Sequence, residues 1–405
     1  MSWYVRYFVS EPAALAFPEA AVQRTSGLRK TSDQVRLAEV RILTPISIIV
    51  PTYREAENIP ELIERLEALR AAHDLDLELL IMDDDSQDGT EDVVARAGRD
   101  WVRLVVRKAN RGLSPAVVEG LRLATKPVLV VMDGDLSHPP EKIPDMVLAL
   151  DAGQQFVLGS RYVSGGRTDE AWGFFRWLNS RVATLLARPL STAKDPMSGF
   201  FAMRRSDFDA ADALNPIGYK IALELIVKCR LENVGEVPIY FSNRKRGKSK
   251  LSFREQLRYL QHLRRLFMYK FGTWSRLLHF LLVGTSGAVV NLAVVTLLGR
   301  AHASSDAALL GGIVVSVVTN FLLNRRFTFS YAAHQAIVPQ FLGFCAASSI
   351  GAAVNFAAAR AIVGTWPGVP IQVAAAVGIL AGTVLNFVAN RYFVFREVES
   401  STRAR

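Results

Sequence analysis

ISIIVPTYREAENIPELIERLEALRAAHDLDLELLIMDD, residues 46–84, sets the fold. ISIIVPTY (46–53) is a short buried strand that stops at a turn. NIPELIERLEALRAAH (58–73) follows with apolar residues at helical spacing, and LELLIMDD (77–84) is a second buried strand. The pattern then repeats: TEDVVARAG (90–98) begins a helix, VRLVVRK (102–108) is a strand, SPAVVEGLRLA (114–124) a helix and PVLVVMDGD (127–135) a strand. Strands alternating with helices predict an α/β domain, a Rossmann-like, mostly parallel sheet with helices on both faces. Ligands on such sheets sit beyond the carboxyl ends of the strands. The polar clusters Pro51–Glu57, Asp83–Thr90 and Asp133–His138 fall there.

Outward from this unit the chain divides. Half of its 405 residues are hydrophobic although 21% are charged, and the charge crowds residues 30–276. Apolar segments near 277–299, 307–323, 341–363 and 371–389 are each close to the roughly 20 residues that cross a bilayer. An all-α four-helix transmembrane domain over 274–397 is expected. The net charge of +10 then points to an anionic membrane surface rather than nucleic acid. FREQLRYLQHLRRLFMYKF (253–271) is an amphipathic helix with Phe253, Leu257, Leu260, Leu263, Phe267 and Phe271 on one face, suited to lying at that surface. Arg325 and Arg326 between the second and third spans, and Arg391 and Arg396 after the fourth, put the catalytic domain, middle loop and C-terminus in the cytoplasm. TNFLLNRRFTFS (319–330) repeats as LNFVANRYFVFR (385–396), so the spans form two related hairpins. Their Asn residues would cap carbonyls or touch head groups. Residues 1–44 hold no long apolar run and no signal peptide, and are expected to be a poorly ordered extension; residues 398–405 form a tail. Cys229 and Cys345 lie too far apart for a zinc motif or a disulfide framework.

Asp133-Gly134-Asp135 is the strongest chemical signal. Two carboxylates one residue apart at a strand end can hold Mg²⁺ or Mn²⁺ against a diphosphate, offsetting charge on a departing nucleoside diphosphate. In the acidic run from Asp83 to Thr90, Asp83 and Asp84 suit a nucleotide, and Asp88 or Thr90 a helix N-cap. SNRKRGKS (242–249) nearly matches a phosphate-binding loop, but Ser242 replaces the first Gly. No G-x-G-x-x-G occurs, and Gly173-Phe174-Phe175-Arg176-Trp177 stands where processive synthases carry Q-x-x-R-W.

VPTYREAENI (50–59), DDDSQDGT (83–90), ANRGLSPAVVEGL (109–121), MDGDLSHPPE (132–141), GSRYVSGG (159–166), DPMSGFFAMRR (195–205) and EVPIYFSNRKRGKSKL (236–251) resemble the family-2 glycosyltransferases, most closely the dolichol-phosphate mannose synthase branch. The resemblance covers about 46–252 and implies a GT-A-type catalytic domain over 45–252. Residues 277–396 resemble the GtrA-like four-helix module. By resemblance Pro51, Tyr53, Glu55, Asp83 and Asp84 would line the nucleotide pocket. Asp133, Asp135 and Ser137 would bind metal, Arg161 and Arg176 would face phosphate, and Arg244 and Lys250 would close over the donor. Asp85 stands where the family has Gly or Asn. The implied reaction is inverting transfer of a hexose, mannose from GDP-mannose or a sugar from UDP-glucose, to a polyprenyl (dolichyl-type) phosphate. Such an acceptor is already ionised and needs no strong base. Asp195 is the base to test if the acceptor were a hydroxyl. A module that moves lipid-linked sugar is the alternative of another class.

Overall fold

The computed structural model describes residues 44–168, 174–242 and 253–396. The expectations for residues 1–43, for the tail, and for Arg244 and Lys250 lie outside the described residues. So does the side chain of Arg176.

The β/α alternation is realised. β1 (Ile46–Thr52), α1 (Ile59–His73), β2 (Leu77–Asp83), α2 (Thr90–Ala97), β3 (Val102–Val106), α3 (Leu113–Leu123) and β4 (Val128–Val131) follow in order. α4 (Ile143–Asp151), β5 (Phe156–Ser160), β6 (Arg167–Thr168), α5 (Phe174–Ala187), β7 (Phe201–Arg204), α6 (Arg205–Asp209), α7 (Ile221–Lys228), β8 (Val234–Pro238) and β9 (Tyr240–Phe241) complete the domain. Seven strands form one sheet in the order β3-β2-β1-β4-β7-β5-β8, and only β7 runs antiparallel to its neighbours. β1 is apolar apart from Ser47 and Thr52 because both faces are covered. Ile46, Ile48 and Val50 pack with α1 and α4, and Ile49 packs with α3 and α7. The strand order reverses between β1 and β4, which opens a crevice at their carboxyl ends.

α8 (Phe253–Phe271) is the expected amphipathic helix, but it does not present one apolar face. Leu263 and Leu266 are buried against Ala187, Leu190 and Leu223 of the catalytic domain, whereas Leu257 and Leu260 are about half exposed on another side. Its His262 is fully buried, 3.5 Å from the equally buried Glu224 of α7. Burial and the nearby Arg265 charge push His262 down to about 4, so the imidazole is neutral at pH 7.

α9 (Thr273–Arg300), α10 (Ser305–Leu323), α11 (Ile337–Thr365) and α12 (Ile371–Ala389) are long and apolar enough to cross a membrane. α9 packs on α10 and α11 on α12, and the two hairpins meet chiefly at one aromatic cluster. No side chain fits at Gly287 against Asn320, or at Gly351 against Asn386, so each hairpin closes in the same way. Phe280 meets Phe387 at 5.6 Å, the equivalent Phe344 meets Phe321 at 5.7 Å, and Phe329 stacks on its own counterpart Phe395 at 4.7 Å. The repeat is therefore a pseudo-two-fold pair. Asn324 and Asn390 open matching π-helical turns and are buried, and Asn390 donates to the Asn386 carbonyl, one turn back in its own helix.

Leu266→Ala is expected to weaken the seating of α8 by about 2–5 kcal/mol. Limited proteolysis of the detergent-solubilised full chain should then cut near α8 faster than in the unsubstituted protein. An unchanged cleavage rate would show that α8 does not depend on this contact.

Candidate active site

At the end of β4 the chain turns sharply through Asp133-Gly134-Asp135. A side chain at Gly134 would press within 3.2 Å of Thr52 and Val50, so glycine lets the acidic turn lie against β1. Leu136 has φ 60°, a conformation that costs a bulky residue about 1–2 kcal/mol. The turn is braced from both sides. Ser137 donates its hydroxyl to Asp135 Oδ1 at 2.5 Å, and the Asp133 amide donates to His138 Nδ1 at 3.0 Å. His138 is itself stacked on Phe200. Asp135 and Ser137 are buried and Asp133 is partly exposed. The donor set is two carboxylates and a hydroxyl, all hard oxygens. Among the described residues no group of three or more His, Cys, Asp or Glu could hold an ion. These residues fit a Mg²⁺-like ion that takes its remaining ligands from phosphate and water, not one caged by protein.

Across the crevice Tyr53, Arg54, Asp85, Ser86, Gln87 and Arg111 line a cleft of about 500 Å³. Asp83 is buried beneath it. Thr52 and Ser86 donate to Asp83 at 3.0 and 2.5 Å, which locks the ends of β1 and β2 together. Asp84 accepts from Arg107 and from the Gly112 amide, fixing the loop after β3. Asp88 accepts from Thr90 and from the Ala56 amide, and these bonds outweigh burial to lower its pKa. Asp85 has φ 54°, a left-handed position that Gly, Asn and Asp tolerate best, and Arg111 pairs with its carboxylate. The extra acid is thus conservative in backbone terms and is offset in charge. Pro51 is the penultimate residue of β1, and Glu55 accepts from Asn58 at the start of α1.

Arg161, just after β5, forms the third part. Its Nε and a terminal nitrogen donate to the two oxygens of Asp195 at 2.8 Å each, and the Arg161 amide donates to the same carboxylate. Asp195 is fully buried, and its own amide donates to Glu236. Burial opposes the charge on Arg161, but the Asp195 partner outweighs it and raises the guanidinium pKa. Lys220 lies close by, its amine donating to the Met197 carbonyl. Burial, then the Arg161 charge, bring Lys220 down to about 8, against the opposing pull of Asp195 and Asp133. Lys220 stands at the head of an apolar pocket of about 270 Å³ between α5 and α8, lined by Val182, Leu186, Met197, Tyr259 and Leu260.

Residues 47–211 match the family described as glycosyl transferase family 2, and residues 279–395 match the GtrA/DPMS transmembrane domain. The dolichol-phosphate mannosyltransferase of Pyrococcus furiosus is 36% identical over 86% of this chain and 98% of its own. The chain belongs to the dolichol-phosphate mannosyltransferase branch of the family-2 glycosyltransferases. The Mycosarcoma maydis member is 42% identical over 56% of this chain and 80% of its own. A solved structure, glucosyl-3-phosphoglycerate synthase from Mycobacterium tuberculosis with Mn²⁺ and uridine diphosphate, aligns at TM-score 0.44 and 21% identity over 56% of this chain and 80% of its own. The chain is accordingly a glycosyltransferase and an integral membrane protein with four spans.

The structure brings Asp133, Asp135, Ser137, Arg161 and Asp195 to one side of the crevice, with Pro51, Tyr53, Glu55, Asp83 and Asp84 on the other. Sequence reasoning missed Lys220, Arg107 and Arg111. Arg107 and Arg111 follow β3 at the same strand-end level as the acidic run, which was a usable signal. Lys220 precedes a short helix far along the chain, and nothing local marks it.

Competitive labelling of amines on the full chain should place the Lys220 midpoint near 8, below the ordinary 10.5. Asp195→Asn should lower it further, because a carboxylate that favoured the charged amine is gone. A midpoint near the ordinary value would show a solvated lysine.

Proposed function

We propose that this protein transfers a hexosyl group, mannose from GDP-mannose, to a polyprenyl phosphate at the cytoplasmic face of the membrane. The observation that carries this reading is Lys220, which lines an apolar groove and is near enough to Arg161 to feel its charge. The groove runs between two helices whose outer residues, Leu178, Val182, Leu185, Leu257 and Leu260, are exposed apolar side chains. An anionic head with a long hydrocarbon tail matches that pairing of cations with greasy walls. Mannose as the sugar agrees with what the similar proteins are called.

Asp133, Asp135 and Ser137 would hold Mg²⁺ or Mn²⁺. When bound, the ion would offset charge on the leaving diphosphate. The cleft at Tyr53 would take the nucleoside, with Asp83 and Asp84 shaping its floor and Pro51 and Glu55 its edge. Arg161 would hold the acceptor phosphate with the guanidinium plane fixed by Asp195, and Lys220 would add a second positive charge. Asp195 acts as a positioning residue, since both its oxygens are engaged by Arg161. Arg176, Arg244 and Lys250 would add further cations around the phosphates. An acceptor oxygen forms the bond to the anomeric carbon as the bond to the nucleoside diphosphate breaks, and one such displacement inverts that centre. A phosphate with a second pKa of about 6 is mostly ionised at pH 7, so no strong base is required.

The boundaries follow the same logic, with a catalytic domain over 45–252, an interfacial segment over 253–273 and a transmembrane domain over 274–397. Arg264 of α8 donates to the Phe327 carbonyl and Arg391 donates to Tyr331. The catalytic side, the middle loop and the end of the fourth span therefore share one end of the helices, and their arginines favour the cytoplasm.

The test is to supply purified full-length protein with polyprenyl phosphate, Mg²⁺ or Mn²⁺, and labelled GDP-mannose or UDP-glucose. Labelled lipid should form from GDP-mannose, stop with a chelator, and fall on the order of 100-fold or more in Asp135→Asn. Product from UDP-glucose alone would overturn the donor, activity in chelator the metal, and no product from either donor the reading itself.

A further inference from the structure

Glu224 of α7 and His262 of α8 are fully buried titratable side chains that lie outside the acidic crevice and outside the groove lining. Each accepts a backbone amide from one short segment, Asn215-Pro216-Ile217-Gly218-Tyr219-Lys220. Glu224 Oε1 accepts from the Asn215 amide at 2.6 Å, and His262 Nδ1 accepts from the Ile217 amide at 3.3 Å. An amide can only donate, so Nδ1 presents its lone pair and the ring proton sits on Nε2. The second Glu224 oxygen is 3.5 Å from the same Nδ1 and has no hydrogen-bond partner among the described residues. Burial and the Arg265 charge keep the ring neutral against an opposing pull from the Lys220 backbone, which shows how closely the ring approaches it.

The segment is a turn. Gly218 has φ 76°, which a residue with a side chain rarely adopts, and a side chain there would meet Glu255 of α8 at 3.4 Å. The Gly218 carbonyl accepts from the Ser114 hydroxyl of α3 at 2.8 Å, and the Asn215 carbonyl accepts from Arg265 of α8 at 2.5 Å. The turn is thus clamped between α3 and α7 on one side and the interfacial helix on the other. Ile217, Gly218, Tyr219 and Lys220 form one wall of the apolar groove, and the Lys220 amine lies 4.7 Å from the centroid of the Tyr219 ring. The groove wall that carries the cation is therefore hung on two buried acceptors.

We propose that His262 is a positioning residue for the acceptor site, fixing from the interfacial helix the turn that aims Lys220 at the acceptor phosphate. An apolar side chain would fill the same space but leave the Ile217 amide without its acceptor, and a buried amide left so is costly enough to rearrange the turn. Because α8 supplies this contact, the seating of the interfacial helix and the placing of Lys220 are coupled. The inference rests on the reading of Lys220 as a cation that holds phosphate.

The test compares the unsubstituted full chain in detergent with His262→Leu and His262→Asn. Asparagine sets an acceptor oxygen where Nδ1 stands, and leucine does not. The first measurement is the amine-labelling midpoint of Lys220, read without substrate and so independent of whether the proposed transfer occurs. The imidazole is neutral, so its removal takes away no charge, and a shifted midpoint reports a shifted amine. Leucine should move the midpoint from about 8 toward the ordinary 10.5, and asparagine should hold it near 8. The second measurement is KM for each substrate. Leucine should raise KM for polyprenyl phosphate on the order of tenfold, with KM for the nucleotide-sugar changed less than about twofold, and asparagine should restore the first. A Lys220 midpoint that stays near 8 in the leucine variant overturns the proposal, as does a parallel rise of both KM values. A shifted midpoint with an unchanged KM for polyprenyl phosphate overturns it through the reading of Lys220 on which it rests. Should His262→Leu not fold, His262→Gln replaces it, because the longer side chain carries its acceptor past the Nδ1 position. A higher midpoint with glutamine than with asparagine then supports the proposal, and equal midpoints overturn it.

Discussion

The buried pair of Arg161 and Asp195 is the contact on which the catalytic half depends. Taking both charges from water is costly, and their attraction offsets that cost only where the geometry is good. Here it is good, with two parallel bonds of 2.8 Å, a third from the Arg161 amide, and Glu236 holding the Asp195 backbone. The pair joins the end of β5 to the loop that leads into the antiparallel strand β7. Removing either partner would strand the other charge at about 3–5 kcal/mol, which is a steep cost for an arrangement that apolar residues could replace. Its retention is explained if the guanidinium is needed in one orientation. Lys220 depends on the same pair, because its charged form is opposed by Arg161 and favoured by Asp195.

The membrane half is constrained by packing at glycine and asparagine, then by aromatic stacking. Each hairpin closes where Gly287 or Gly351 admits the asparagine of the facing helix. The hairpins then share one cluster, with Phe329 on Phe395 near the pseudo-axis. Hydrocarbon solvent gives no hydrophobic drive between helices, so close contact and aromatic stacking must supply the adhesion. α8 transmits this geometry to the chemistry, through Leu263 and Leu266 on the catalytic side and Arg264 on the membrane side.

What could be read from the residues alone was what local periodicity encodes. The first four strands, the acidic turn at Asp133, the four spans and the Asn-Arg-aromatic repeat all lie in short windows. Features that arise from distant contacts were not legible. The antiparallel insertion of β7 depends on pairing with both β4 and β5. α8 was assigned a single apolar face, but it has partners on two sides, and only the catalytic domain reveals which leucines are covered. Lys220 gains its character from Arg161 and Met197, far off in sequence. Asp85 stands where the family has Gly or Asn, and its sequence position alone does not show how the acid is accommodated. The left-handed backbone and Arg111 make it an ordinary member of that turn.

The central claim is that cations at the head of an apolar groove select a phosphate on a hydrocarbon chain. It is tested most directly by giving the full-length protein two acceptors that differ only at the head, a polyprenyl phosphate and the corresponding polyprenol, with one labelled nucleotide-sugar. The account predicts labelled product from the phosphate and none above background from the alcohol. Equal transfer to both would contradict it, because Arg161 and Lys220 would then have no anion to hold.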